Sequence, residues 1–295
     1  MASIGMKVTE SHRGMALVLT AGASWGLIGI PVRALNGMGL GAMDITALRS
    51  AFTGILLLLA VPMMNPKALT VRMRDLWCMA GCGLASITLF NICYFATLQR
   101  TSIGIAVILL YTSPVFVTVL SHFCFKEAFR KRTFVALVFV TAGCVLVSGV
   151  MNGAASGGLS FSVLLTGLGS GFCYALYSIF GRYAQQRGYS SLTITLWAFV
   201  FAGAAALGIL NWRSVLPILA TAGPWPALAS LVFVSTILPY CAYTAGLRLL
   251  APSTAAIVAT MEPVVGTIVG ILLFGETLTL SALAGMALII AALFL

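Results

Sequence analysis

The chain has 295 residues, 61% of them hydrophobic and only 7% charged, with a mean hydropathy of +1.09 and a formal charge of +10. A water-soluble domain carries about a quarter of its residues charged, so most of this surface must face lipid, and the apolar runs leave no room for a soluble catalytic domain. The positive charge does not indicate nucleic acid, because Lys126, Arg130, Lys131, Arg132 and their like sit in short segments between apolar runs, with no continuous basic face.

Ten apolar runs follow in order, at about 14–34, 42–64, 76–98, 103–124, 133–150, 160–183, 191–210, 225–247, 253–274 and 279–295. A helix needs about 20 residues to cross a ~30 Å hydrocarbon core, so the pattern predicts ten transmembrane helices. The first run follows Lys7, His12 and Arg13, but it outlasts a signal-peptide core and carries Trp25, Pro31 and Arg33, so it reads as a retained span. Breaks fall at Asn65-Pro66-Lys67, Lys126 to Arg132, Asn152-Gly153 through Gly157-Gly158, Gln185 to Gly188 and Gly223-Pro224. With the N-terminus in the cytoplasm, about twelve Lys and Arg fall on that side and three (Arg33, Arg100, Arg213) on the other. Positive residues mark the cytoplasmic face, so both termini are expected there. The seven Cys lie in or beside apolar runs and read as small buried residues; His12 and His122 lack metal-ligand spacing. Neither metal nor cofactor is expected.

Sliding the sequence on itself by about 149 positions aligns Tyr94 with Tyr243, Pro114 with Pro263, Thr118 with Thr267, Phe125 with Phe274, Glu127 with Glu276 and Arg33 with Arg182, without a gap. Matching Pro, Glu, Arg and Tyr are hard to obtain by chance between two Leu/Ala/Val-rich strings. The reading is two five-helix repeats, 1–150 and 151–295. Five is odd, so the second copy enters the membrane from the opposite side. Inverted repeats supply two surfaces that rock about a shared midplane site.

Glu262 is the carboxylate deep inside a span, expected to face the bundle interior with a partner, or to be protonated. It is a candidate for proton coupling or for holding a substrate ammonium, with a structural ion pair or packing hydrogen bond as the alternative. Arg49, the basic residue well inside a span, is a partner for Glu262 or for a substrate carboxylate, or else a side chain that snorkels or satisfies backbone carbonyls. Pro263 and its repeat partner Pro114, preceded by Ser113, remove backbone donors at the same depth of both halves. Paired Pro-interrupted spans point to a transport site. Trp25, Asn91, Tyr94, Tyr111, Tyr174, Tyr177, Tyr240 and Tyr243 add polar and aromatic groups, mostly deeper than an interfacial belt. An aromatic-walled cavity suits an aromatic or apolar small molecule, or a cation on the ring faces. No Ser-His-Asp arrangement, P-loop or dinucleotide fingerprint is present, which argues against an enzyme.

Taken together, Ala23-Ser24-Trp25-Gly26, Ala47-Leu48-Arg49, Gly171 to Ala175, Ser113-Pro114 leading to Phe125-Lys126-Glu127-Ala128, and Met261-Glu262-Pro263 leading to Phe274-Gly275-Glu276-Thr277 resemble the EamA-type ten-helix members of the drug/metabolite transporter superfamily, over essentially the whole chain. Within it the chain looks most like the YddG-type amino-acid exporters. The resemblance implies an all-α bundle around a central cavity in a bacterial inner membrane, exporting small metabolites such as amino acids, aromatic ones included. The first-span Glu of four-helix relatives has no counterpart beside Trp25, so their coupling mechanism does not carry over. A monomer or weak dimer in the bilayer is expected. The alternatives are a membrane enzyme acting on lipid-linked substrates and a passive channel.

Overall fold

In hydrocarbon each backbone N–H and C=O must be satisfied within its own segment, and the apolar runs accordingly fold as helices. The structure, a computed structural model, describes residues 2–150 and 160–295. The expected break at Asn152–Gly158 and the 150/151 boundary between the halves lie outside the described residues. The helices are α1 (Ala2–Gly26), α2 (Gly29–Gly37), α3 (Ala42–Met64), α4 (Leu76–Ala80), α5 (Leu89–Leu98), α6 (Ile103–Leu110), α7 (Ser113–Phe125), α8 (Lys131–Val147), α9 (Phe161–Gln186), α10 (Ser191–Leu207), α11 (Trp212–Leu219), α12 (Trp225–Val232), α13 (Leu238–Leu247), α14 (Pro252–Ala259), α15 (Met261–Phe274) and α16 (Leu280–Ala292).

Among the described residues seven helical stretches are long and apolar enough to cross a membrane: Thr9–Gly37, Ala42–Met64, Met73–Leu98, Ile103–Phe125, Phe161–Gln186, Trp225–Leu247 and Pro252–Phe274. This is short of the ten expected from the runs. α10 turns through 112° into α11 after 17 residues. α8 and α16 hold 17 and 13 residues, which at 1.5 Å per residue reach only about 25 and 20 Å. Leu59, Phe123, Phe134 and Leu272 stand exposed. On a soluble protein such side chains form an adhesive patch; against lipid they are the proper covering, and the chain is a multi-pass membrane protein.

Lipid tails are as apolar as Leu, so helices associate here through close packing. Glycines supply it reciprocally. A Cβ on Gly54 of α3 would strike the carbonyl of Phe199 on α10, and one on Gly203 of α10 would lie 2.9 Å from the carbonyl of Ser50 on α3. These two contacts interchange under the 149-position shift. α8 and α16 cross where Gly143 and Gly285 face each other, each against the other's carbonyl. The core gathers Val18, Ala21 and Trp25 of α1, Leu57 of α3, Phe199 of α10 and Tyr240 and Tyr243 of α13. All seven Cys are free.

Candidate functional site

Both Pro-containing spans are broken where the sequence places the prolines. α6 stops at Leu110 and α7 restarts at Ser113 with Pro114 in its first turn; α14 stops at Ala259 and α15 restarts at Met261 with Pro263 in its first turn. A first-turn proline costs no intrahelical bond. Threonine hydroxyls satisfy carbonyls freed nearby: Thr112 donates to Leu109 O at 2.6 Å and Thr260 to Ile257 O at 2.5 Å. One turn on, Thr118 donates to Pro114 O and Thr267 to Pro263 O, both at 2.8 Å. Each break is sealed by a glycine of the other half. A Cβ on Gly22 would lie 2.9 Å from Ala259 O, and one on Gly171 would lie 2.8 Å from Leu109 O and 3.1 Å from Leu110 O. Gly22 and Gly171, like Ala259 and Leu110, are 149 positions apart.

A cavity of about 430 Å³ runs from one face of the bundle down to the second break, within the size range of small-molecule sites. Arg33 and Glu276, both half exposed, pair at its mouth, and the Arg33 guanidinium stands 3.8 Å above the Phe274 ring. Trp25, Tyr94, Tyr111 and Pro263 form its inner wall, with half-buried Glu262 at the bottom. Tyr111 and Tyr174 border the same inner space as the Glu262 carboxylate. Glu262 is the eleventh of 23 residues in its span, so it stands at mid-depth.

Beneath it lies a second space, bounded by Tyr111, Ser113, Pro114, Val117, Tyr174, Ser178, Tyr243, Ala256, Ala259, Thr260 and Glu262. Tyr111 and Glu262 border both spaces. Every other lining residue is the 149-position counterpart of a residue lining the open cavity: Tyr174 of Trp25, Ser178 of Gly29, Tyr243 of Tyr94, Ala256 of Val107, Ala259 of Leu110, Thr260 of Tyr111, Ser113 of Glu262, Pro114 of Pro263 and Val117 of Gly266. Yet this space holds only about 10 Å³, at or below what one water needs. Side chains close it. Ser178 and Tyr243 share a hydrogen bond of 2.7 Å, Tyr177 and Thr244 one of 2.9 Å, and Arg182 donates to Leu247 O at 2.6 Å. Gln185 donates to Thr244 O, and Ser253 donates to the carboxylate of Glu127. The molecule therefore contains the same vestibule twice, once open and once shut.

Of the residues singled out from sequence, Trp25, Tyr94, Tyr111, Glu262 and Pro263 line the open cavity, while Ser113, Pro114, Tyr174 and Tyr243 line its closed counterpart. Tyr177 and Tyr240 line neither; they pack behind Trp25, with Tyr240 at 5.3 Å from Trp25, 5.1 Å from Tyr177 and 4.8 Å from Phe199 between ring centroids. Asn91 is buried and spends its amide on Ile87 O, 2.7 Å away in its own helix. Arg49 and Glu262 form no ion pair with each other; among the described residues the pairs are Arg33–Glu276 and Arg187–Asp75. Sequence reasoning recognises Arg33 and Glu276 only as repeat matches, and no local signal joins residues so far apart in the chain.

The EamA-like transporter family matches this chain twice, over residues 12–149 and 161–295. An uncharacterized transporter of Archaeoglobus fulgidus is 31% identical over 211 residues, covering 71% of this chain and 73% of its own length. The threonine/homoserine exporter RhtA of Escherichia coli is 30% identical over 258 residues, covering 85% of this chain and 80% of its own. A chain of known crystal structure superposes with a TM-score of 0.77 at 18% identity, over 95% of this chain and 94% of that one, which speaks to the fold alone. The family and the two named relatives are transporters, not enzymes, and the broken, glycine-sealed spans around a midplane cavity suit that work. The chain belongs to the EamA-like transporter family.

Proposed function

We propose that the protein exports small zwitterionic metabolites, amino acids first among them, from the bacterial cytoplasm by alternating access. The observation that carries this reading is the pair of equivalent vestibules, one of about 430 Å³ and one of about 10 Å³, meeting at Glu262. Two halves built on one repeat can exchange conformations at little cost, and the exchange shuts one mouth as it opens the other. A passive channel needs both ends open together, which the closed lower vestibule argues against. In this reading the polypeptide crosses ten times: seven long spans, the bent α10–α11 unit, and α8 and α16 packed together through Gly143 and Gly285. The halves 1–150 and 151–295 are inverted copies. The face bearing Lys67, Arg72, Arg74 and Arg187 is cytoplasmic, so the Arg33–Glu276 mouth opens outward in the inner membrane. RhtA's substrates, threonine and homoserine, make amino acids the first class to try. Counterflow in proteoliposomes against an amino-acid panel, with and without an imposed pH gradient, tests the proposal. Saturable exchange of at least one amino acid is expected; none across the panel would overturn it.

A further inference from the structure

A groove of about 770 Å³ lies between α7 and α8. Val119 of α7 and Phe134 and Val138 of α8, on its walls, are exposed, so it opens to the outside of the bundle, where a membrane protein meets lipid. Thr118 and Thr141 are the polar residues of its lining, and Thr118 spends its hydroxyl on Pro114 O. Along α8 the lining runs from Phe134 to Leu146, about 18 Å at a rise of ~1.5 Å per residue. One leaflet of a ~30 Å hydrocarbon core is about 15 Å deep, so the groove has the length of one leaflet's acyl chain.

One end of the groove is charged. Arg130 and Lys131 lie in the chain between the lining residues Phe129 and Phe134, and Lys131 heads the same helical stripe as Phe134 and Val138. Both cations are exposed, and neither makes an ion pair or a side-chain hydrogen bond among the described residues. Glu127, the acid of this stretch, is engaged by Ser253 of α14, and Arg132 lies on the other side of α8 with Ala136. The fold does not require the two cations. At the 149-position shift they correspond to Thr279 and Leu280; Thr279 caps α16 by accepting from the Ala282 N–H at 3.2 Å, whereas Arg130 gives α8 no side-chain cap. Cations at this end of a helix oppose its dipole. Orientation in the membrane accounts for positive charge on this face, but not for its place at the head of an apolar groove.

We infer that the groove between α7 and α8 binds an anionic phospholipid, with an acyl chain along Phe134, Val138 and Leu146 and the phosphate against Arg130 and Lys131. Apolar burial and opposite charge together favour a ligand that joins the two. A zwitterionic lipid fills the groove but brings no net charge to the cations. A free phosphate meets the cations but leaves the groove empty.

The test is native mass spectrometry of the whole protein in detergent, titrated with dioleoyl phosphatidylglycerol or dioleoyl phosphatidylcholine, with glycerol phosphate as a soluble competitor. The wild type should retain phosphatidylglycerol in preference to phosphatidylcholine. Arg130→Gln combined with Lys131→Gln should cut that preference roughly tenfold, since each cation near an anionic headgroup favours it severalfold. Lys67→Gln combined with Arg74→Gln, which removes the same charge elsewhere, should leave it unchanged. Val138→Trp, on a wall that already faces lipid, should fill the groove and lower the retention of both lipids. Equal retention of the two lipids by the wild type would overturn the inference, as would a preference that survives the Arg130 and Lys131 substitutions or falls equally in the Lys67 and Arg74 pair. Retention undiminished by Val138→Trp, or displacement of the lipid by glycerol phosphate at matched concentration, would do the same. So would a dimer that Val138→Trp disperses, because the groove would then seat a second copy of the chain.

Discussion

Replacing Ser253 by alanine should unlock the closed vestibule. Ser253 is buried in the first turn of α14 and donates its hydroxyl to Glu127, whose second carboxylate oxygen is already buried without a partner. A hydrogen bond to a charged group contributes ~1.5–3 kcal/mol. The N-terminus of α14 still favours the carboxylate after the substitution, which argues for the lower end of that range. The symmetry of the fold makes the effect directional. At the opposite mouth the residue equivalent to Ser253 is Gly104, which has no hydroxyl to offer Glu276, so the substitution removes nothing from the alternate state. The whole cost falls on the state seen here, and the ratio of the two states should move by roughly tenfold towards opening at the Glu127 end. Thiol labelling from the cytoplasmic side, or spin-label distances across each mouth, reads that ratio. A Ser253→Ala protein that folds and transports yet keeps the wild-type ratio would refute the reasoning.

The same geometry sets three further outcomes. Glu262→Gln should abolish any pH dependence of transport in proteoliposomes, whereas a pH response that survives the change would reduce Glu262 to a packing role. Gly22→Ala and Gly171→Ala should each cost ~1–3 kcal/mol by overpacking the breaks, seen as lowered thermal midpoints in detergent; midpoints equal to the wild type would mean that the breaks are not sealed there. Outside the spans, Tyr189 donates to Asp75 at 2.7 Å and accepts from the Arg72 backbone N–H at 3.1 Å. Desolvation, reinforced by Asp75, raises its phenol above the ordinary tyrosine value. The protonated donor is therefore the favoured folded form: its contribution is complete below the ordinary tyrosine range near pH 10 and fades as pH rises through the raised value. Tyr189→Phe should cost about 1 kcal/mol at neutral pH, and a loss that is the same at pH 7 and above pH 11 would contradict that assignment.

The sequence discloses the parts of this architecture that rest on backbone chemistry. Pro114 and Pro263 break their spans because proline lacks the donor that a continuous helix requires, and that holds wherever the residue sits. Gly22 and Gly171 are visible as small residues, but not as seals, since their role depends on which carbonyl of the other half they meet. Span lengths are less legible: hydropathy does not register the 112° turn between α10 and α11 or the early end of α16 at Ala292. The assignment of tyrosines to the cavity divides for a similar reason. The third span of each half contains a π-helical stretch, Gly81–Thr88 and Phe233–Ile237. An inserted residue rotates the remainder of the helix by about 100°, so a regular helical period does not tell which of Asn91, Tyr94, Tyr240 and Tyr243 faces the cavities. Nothing in the composition of either stretch announces the change of winding. Arg49 and Glu262 stand out in the sequence as rarities in apolar runs; that they stand apart emerges only in three dimensions.

Alternating access requires one vestibule to close as its counterpart opens. Val117, 2% exposed in the shut space, and Gly266, on the wall of the open one, are counterparts. In a cysteine-free background, Val117→Cys and Gly266→Cys should respond in opposite directions to a membrane-impermeant thiol reagent. Gly266→Cys should label from outside in the substrate-free protein while Val117→Cys is protected, and added Ser253→Ala should raise labelling of Val117→Cys from inside as that of Gly266→Cys falls. Labelling at the two positions that rises and falls together would contradict alternating access.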